Sequence, residues 1–207
     1  MGIDLLLGSP TDKKATFRHK MFLPVELKDG LSESLVRRDA KMIPLLQNPE
    51  LVLDFPYPAI ETNILSSPLF VFSILLIVII VFTGLARGRT VNTLIDIILF
   101  TVFSILALMM LFFNFFTDHQ QLRWNLNIIW LNPFVILSLI SIIYNKNRTK
   151  WFRIVFFLAA GFLAAFVILP QHINNAYFPL IAIMIIRSSG RAGFNLNPLT
   201  LPYLTQL

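Results

Sequence analysis

The stretch ILSSPLFVFSILLIVIIVFTGLA, residues 64–86, runs from end to end without a charged side chain. A helix needs about 20 apolar residues to cross the hydrocarbon core of a bilayer, so this stretch reads as a membrane span. Four more such stretches follow: Ile97 to Thr117, beginning before Asp96, then Trp124 to Asn145, Ile154 to Gln171, and Ile173 to Ile186. With their ends set, the spans fall at about 64–86, 92–117, 124–145, 152–170 and 173–187. The last is the shortest. Pro179 inside it predicts a kink or a break, and a re-entrant or interfacial segment is the competing reading. Arg187 and Asn174 at its ends would lengthen it, the arginine by snorkelling. The expected fold is an all-α integral membrane protein, a bundle of about five transmembrane helices with a short extracytoplasmic N-terminal segment.

Composition agrees. Of the 207 residues 56% are hydrophobic and 14% charged, against about 25% charged in a soluble domain. The net charge of +6 is unevenly placed. Residues 1–63 hold eight Lys/Arg and nine Asp/Glu; residues 64–207 hold nine Lys/Arg and two acids, Asp96 and Asp118. The basic excess belongs to the membrane part, where it reports topology rather than nucleic-acid binding. With no cysteine there is no disulfide, no thiolate metal site and no Cys nucleophile.

The cations sit in alternate loops: Arg87 and Arg89 after the first span, Lys146, Arg148 and Lys150 after the third, Arg187 and Arg191 at the end of the fifth. The intervening loops hold only Arg123. The positive-inside rule then places the N-terminus outside and the C-terminus in the cytoplasm. Three regions follow: an extracytoplasmic segment over 1–63, the bundle over 64–187 and a cytoplasmic tail over 188–207. Within the first, Pro24 with Val25, Leu27, Leu31 and Leu35 predicts a short amphipathic helix. Lys41 to Leu46 and Leu51 to Phe55 read as strands or extended segments, and Phe55-Pro56-Tyr57-Pro58 as a stiff connection into the membrane. So short a segment rarely supports its own core, so it caps the bundle or completes a larger domain. Met1 to Lys14 is no signal peptide, although export is required of this segment. One resolution is that the chain is the C-terminal part of a longer protein whose signal lies upstream.

Few residues carry chemistry. Asp118 and His119 fall at the outer surface between spans two and three, followed by Arg123, Trp124 and Asn127. An adjacent acid and imidazole can orient a proton or bind a headgroup; an interfacial capping loop is the simpler reading on chemistry alone. His172 and Asn174 open the fifth span on the same side and complete a polar rim. Arg123 suits a phosphate, Trp124 the interface. Asp96, an intramembrane acid, reads as paired with Arg87, Arg89 or a loop Lys. His19, His119 and His172 lack the spacing of a zinc site, so neither metal nor cofactor is expected. Walker-type, His-Glu-x-x-His and Gly-x-Ser-x-Gly motifs are missing.

One ordered set of residues resembles a known family. It runs Asp4-Leu5-Leu6-Leu7-Gly8, Pro10, Asp12-Lys13, Met21-Phe22-Leu23-Pro24 with Leu27, then Phe116-Thr117-Asp118-His119, Asn125, Asn127, Trp130, Asn132-Pro133, and Gln171 with Asn174. This is similar to the C-terminal half of the Lnb-type bacterial lipoprotein N-acyltransferases, from about Asp4 to about Arg187. The resemblance implies an inner-membrane enzyme with a papain-like periplasmic domain and a membrane bundle, adding a third acyl chain to the N-terminal Cys of lipoproteins. A Cys–His pair in the periplasmic domain would perform the transfer through a thioester. This chain has no Cys, so no catalytic residue transfers to it. The expectation is the membrane module of such an enzyme, anchoring the catalytic domain and presenting lipid or lipoprotein. Its partners would be membrane lipids, lipoproteins and a Cys-bearing periplasmic domain. The alternative is a non-catalytic multi-pass scaffold or assembly factor.

Overall fold

Proline, asparagine and glycine set where the apolar stretches become helices. The computed structural model describes residues 5–46, 63–85, 89–144 and 149–194. The 51–55 stretch, the Phe55 to Pro58 connection, the loop cations Arg87, Lys146 and Arg148, and residues 195–207 of the expected tail lie outside these.

The chain divides into two compact units, residues 1–12 with 62–207, and residues 13–61. The first dozen residues therefore belong with the helical unit, so the expected 1–63 segment is not one body. In the smaller unit, Thr16 caps α1 (Phe17–Lys20) by accepting from the His19 amide. Pro24 opens α2 (Pro24–Ser32), where its missing N–H costs nothing. An antiparallel hairpin follows, β1 (Leu35–Arg38) and β2 (Lys41–Pro44), with Leu35 opposite Pro44 and Arg38 opposite Lys41. Asp39 and Ala40 both take positive φ (49° and 64°), the backbone that a two-residue hairpin turn demands.

Among its described residues the larger unit contains five apolar helices: α3 (Pro68–Leu85), α4 (Arg89–Phe115), α5 (Phe134–Ile143), α6 (Thr149–Ala165) and α7 (Phe178–Ala192). Among the described residues, three stretches are long and apolar enough to cross a membrane, Pro68–Leu85, Thr90–Phe115 and Leu126–Ile143. Helix α7 packs on α6 and α3, α5 on α6 and α4. The core between them holds Phe100, Phe103, Trp130, Phe152, Phe162 and Tyr177, with Phe100 edge-on to Phe152 at 5.5 Å.

Helix α4 shows the solvent for which this unit is built. Its outward stripe is Leu94, Ile98, Val102, Ile105, Leu108 and Phe112, apolar at helical spacing. Its inward stripe, Asp96, Phe100, Phe103, Ala107 and Met110, is buried and includes the acid. A soluble helix has the reverse polarity. Lipid is the environment that favours this one.

Two spans differ from their expected limits. The third is not one helix over 124–145. Asn125 caps a single turn, Leu126–Ile129, and Pro133 then starts α5, with Asn132 Oδ1 accepting the Phe134 amide at 3.1 Å. The fifth lies C-terminal to the expected 173–187. Asn174 caps the turn Asn175–Tyr177, and Pro179 stands in the first turn of α7, opening the helix rather than kinking or breaking it. Helix α7 continues past Arg187 to Ala192. There Gly193, at φ 85°, ends it, and the Gly193 and Phe194 amides both donate to Ser189 O. This is the left-handed cap that glycine supplies most cheaply.

Candidate functional site

Two polar clusters occupy opposite ends of α4. The first surrounds the N-terminal segment Leu5 to Gly8, helical at Leu5 and Leu6 and irregular after them. Asn125 Nδ2 donates to Leu5 O at 2.7 Å, and Gln171 Nε2 donates to Leu7 O and to Asn125 Oδ1, both at 3.1 Å. Gln171 Oε1 accepts the Leu126 amide at 2.7 Å, while the Gly8 amide donates to Gln121 O at 2.8 Å. Asn114 Oδ1 accepts the Asn125 amide at 3.3 Å. Three carboxamides thereby join residues 5–8, 114, 125 and 171. An apolar chain could not hold this irregular backbone within the bundle end, because its N–H and C=O groups would go unpaired.

Asn127, expected on the outer rim, is 1% exposed. Its Oδ1 accepts from Trp130 Nε1 at 3.0 Å, its amide donates to Asn125 Oδ1, and its Nδ2 donates to Leu5 O at 3.4 Å. It is a partner for a buried indole and cannot reach a headgroup. Replacing Asn127 by Leu keeps the volume and strands the indole N–H, at a cost of about 1–3 kcal/mol. Thermal unfolding followed by Trp emission should show this loss. Adding Trp130→Phe to that variant should recover part of it, since the stranded donor is gone.

The remaining rim residues do face outward. Asp118, His119, Arg123 and Trp124 are exposed. Arg123 Nη2 lies 3.4 Å from Asp118 Oδ1, an open pair that contributes little to stability. Trp124 has φ 57°, an uncommon conformation for a bulky residue, and its ring is turned out while its carbonyl accepts the Ser9 amide. His172 is exposed, and its amide donates to Asp12 Oδ2 at 2.8 Å. Leu7, Thr11, Asp12, His172 and Asn174 line a polar pocket of about 220 Å³. Asp12, Asn125 and Gln171 entered the sequence reading only through the family resemblance and Thr11 not at all; the Asn-x-Asn spacing at 125–127 was a further signal. Directly after Asn174, Asn175 lines an apolar groove of about 430 Å³ with Leu69, Leu76, Leu163, Phe178, Pro179 and Ala182.

The second cluster is centred on Asp96, 2% exposed. Its carboxylate accepts from Arg187 Nε and Arg191 Nε, each at 2.6 Å. Both cations come from α7, and Arg187 is buried rather than snorkelling; Arg87, one of the partners expected for Asp96, lies outside the described residues. The shift of α7 toward Ala192 makes this possible, because it places positions 187 and 191, one turn apart, over Asp96. Arg187 further donates to Thr83 Oγ1 at 2.6 Å, Asn92 Oδ1 at 3.2 Å and Asn92 O at 2.9 Å. Arg191 Nη2 donates to Thr93 Oγ1 at 3.0 Å. One network so ties α3, α4 and α7.

A family model, the Lnb transmembrane domain, matches residues 60–195. No curated protein and no solved structure shows a significant match.

Proposed function

The chain belongs to the Lnb transmembrane-domain family, a multi-pass helical membrane module, and on that premise we propose that it presents a lipid or lipoprotein to an acyltransferase domain. The observation that carries this reading is the junction at Asn174 and Asn175. A polar pocket with a carboxylate and an imidazole ends on one residue, and an apolar groove between α3, α6 and α7 begins on the next. That is the pairing a lipid requires: a headgroup or amine beside Asp12 and His172, an acyl chain along Phe178, Ala182 and Leu163. Loop charges put this end outside the cytoplasm, in the periplasm if the membrane is the bacterial inner membrane. Asp118, His119, Arg123 and Trp124 would flank the same surface. The chain has no thiol, so a Cys-bearing periplasmic domain would supply the nucleophile, and this module would anchor that domain and position its substrate.

The test is lipoprotein acylation, read by mass spectrometry in a host lacking its own N-acyltransferase. The chain is expressed alone and together with a Cys-bearing periplasmic half from a relative. Triacylated lipoprotein on co-expression alone is the expected result. In that pair, Ala182→Phe, which fills the groove, and His172→Ala should each reduce the triacylated fraction several-fold while the protein remains membrane-inserted. Full activity of both variants would remove the junction from the mechanism. Diacylated product throughout, with the chain properly inserted, would favour a scaffold.

A further inference from the structure

The Asp96 cluster carries more positive charge than it neutralises. Two guanidinium groups share one carboxylate, inside a cavity of about 320 Å³ lined by Thr83, Asn92, Thr93, Asp96, Arg187 and Arg191. Purely structural pairing across apolar helices would favour one acid to one base, since a second cation without an acid of its own is costly in this environment. The two arginines also differ. Arg187 is 6% exposed and its donors are committed to Asp96, Thr83 and Asn92. Arg191 is 31% exposed, uses Nε and Nη2, and has no partner for Nη1 among the described residues. The cavity opens beside it at Gly190, where an added Cβ would meet nothing within 4 Å. The first turns of α4, which hold Asn92 and Thr93, add positive potential from the helix N-terminal end.

We propose that this cavity is a phosphate-binding site, with Arg191 as the ligand-facing residue and Asp96, Thr93 and Arg187 holding it in place. An anion entering here neutralises the surplus cation and meets the free edge of a guanidinium, whose planar fork suits phosphate oxygens. The site lies at the end of α4 opposite the Asn125–Gln171 cluster, so it is separate from the substrate junction proposed above. Its place in the first turns of α4, at one end of a long apolar helix, fits the headgroup phosphate of a lipid, and a free phosphate would satisfy the same donors.

Native mass spectrometry of the purified 207-residue chain tests this, with added phosphatidylglycerol, diacylglycerol as the lipid without phosphate, and inorganic phosphate as competitor. The wild-type chain should hold phosphatidylglycerol in clear preference to diacylglycerol. Arg191→Gln should weaken that binding about tenfold, the loss of one charge-assisted contact. Gly190→Leu fills the mouth of the cavity without touching the network and should weaken it comparably, which keeps the test decisive if Arg191→Gln folds poorly. A lipid adduct that resists millimolar phosphate assigns the headgroup; displacement by phosphate assigns the free ion. Equal binding by the wild type and Gly190→Leu, or equal binding of diacylglycerol, overturns the site.

Discussion

Replacing Asp96 by Ala will destabilise the helical unit strongly, because it leaves two guanidinium groups without their counter-ion between packed helices. Asp96 is 2% exposed and Arg187 6%, so the change strands a buried cation. Removing one partner of a buried pair costs about 3–5 kcal/mol, mostly as the penalty of the charge left behind. Here Arg187 is the buried charge left behind, and Arg191, 31% exposed, loses its counter-ion as well. Asp96→Asn keeps an oxygen acceptor and the volume, and should fall between Ala and wild type. Asp96→Ala with Arg187→Met should be less damaged than the two single changes summed, since each removes the group that the other strands. The measurement is the fraction of monodisperse protein left after heating, read by size exclusion. An unchanged melting temperature for Asp96→Ala would mean that the two hydrogen bonds at 2.6 Å hold nothing together.

The same cluster shows what was and was not legible in the chain. Five apolar stretches announce five helices, because hydropathy is local and every residue of the stretch contributes to it. The ends are less legible, since each is decided by one or two side chains. Asn125, Pro133 and Asn174 move helix starts by several residues, and Gly193 fixes a stop five residues beyond Arg187. That shift decides the partner of Asp96: with α7 ending at 187, Arg191 would not lie on its face at all. A pairing across 91 and 95 residues leaves no trace in local pattern. Asn127 failed for a related reason. Its type and position suit a polar rim, but its burial depends on Trp130 three residues on and on Leu5, far back in sequence. The side chains of Asp118, His119, Arg123 and Trp124, which make no such distant contact, face outward as their polarity and loop position suggest.

Gly8→Ala will detach the N-terminal segment from the bundle. A Cβ at residue 8 would lie 2.0 Å from Arg123 O, 3.0 Å from Arg123 C and 3.3 Å from Asn125 N. These are backbone atoms, so no side-chain rotation relieves the clash, and one strand of backbone has to move. Overpacking of this kind costs about 1–3 kcal/mol where a core can yield. Here the movement also pulls apart the Gly8 amide and Gln121 O, and takes Leu5 O and Leu7 O from the carboxamides of Asn125 and Gln171. The turn it presses on is already constrained, with Trp124 at φ 57°. The polar pocket depends on the same contacts, because Leu7, Thr11 and Asp12 line it from this segment. Two readouts should therefore change together. Limited proteolysis should cut the segment before residue 13 far faster than in the wild type, and acylation by the co-expressed pair should fall with it. Faster cleavage with acylation intact would separate the segment from the substrate site. Slow cleavage in Gly8→Ala would show that the backbone around Arg123 O can retreat far enough to admit the methyl group, and that the tight approach at Arg123 is not what requires glycine.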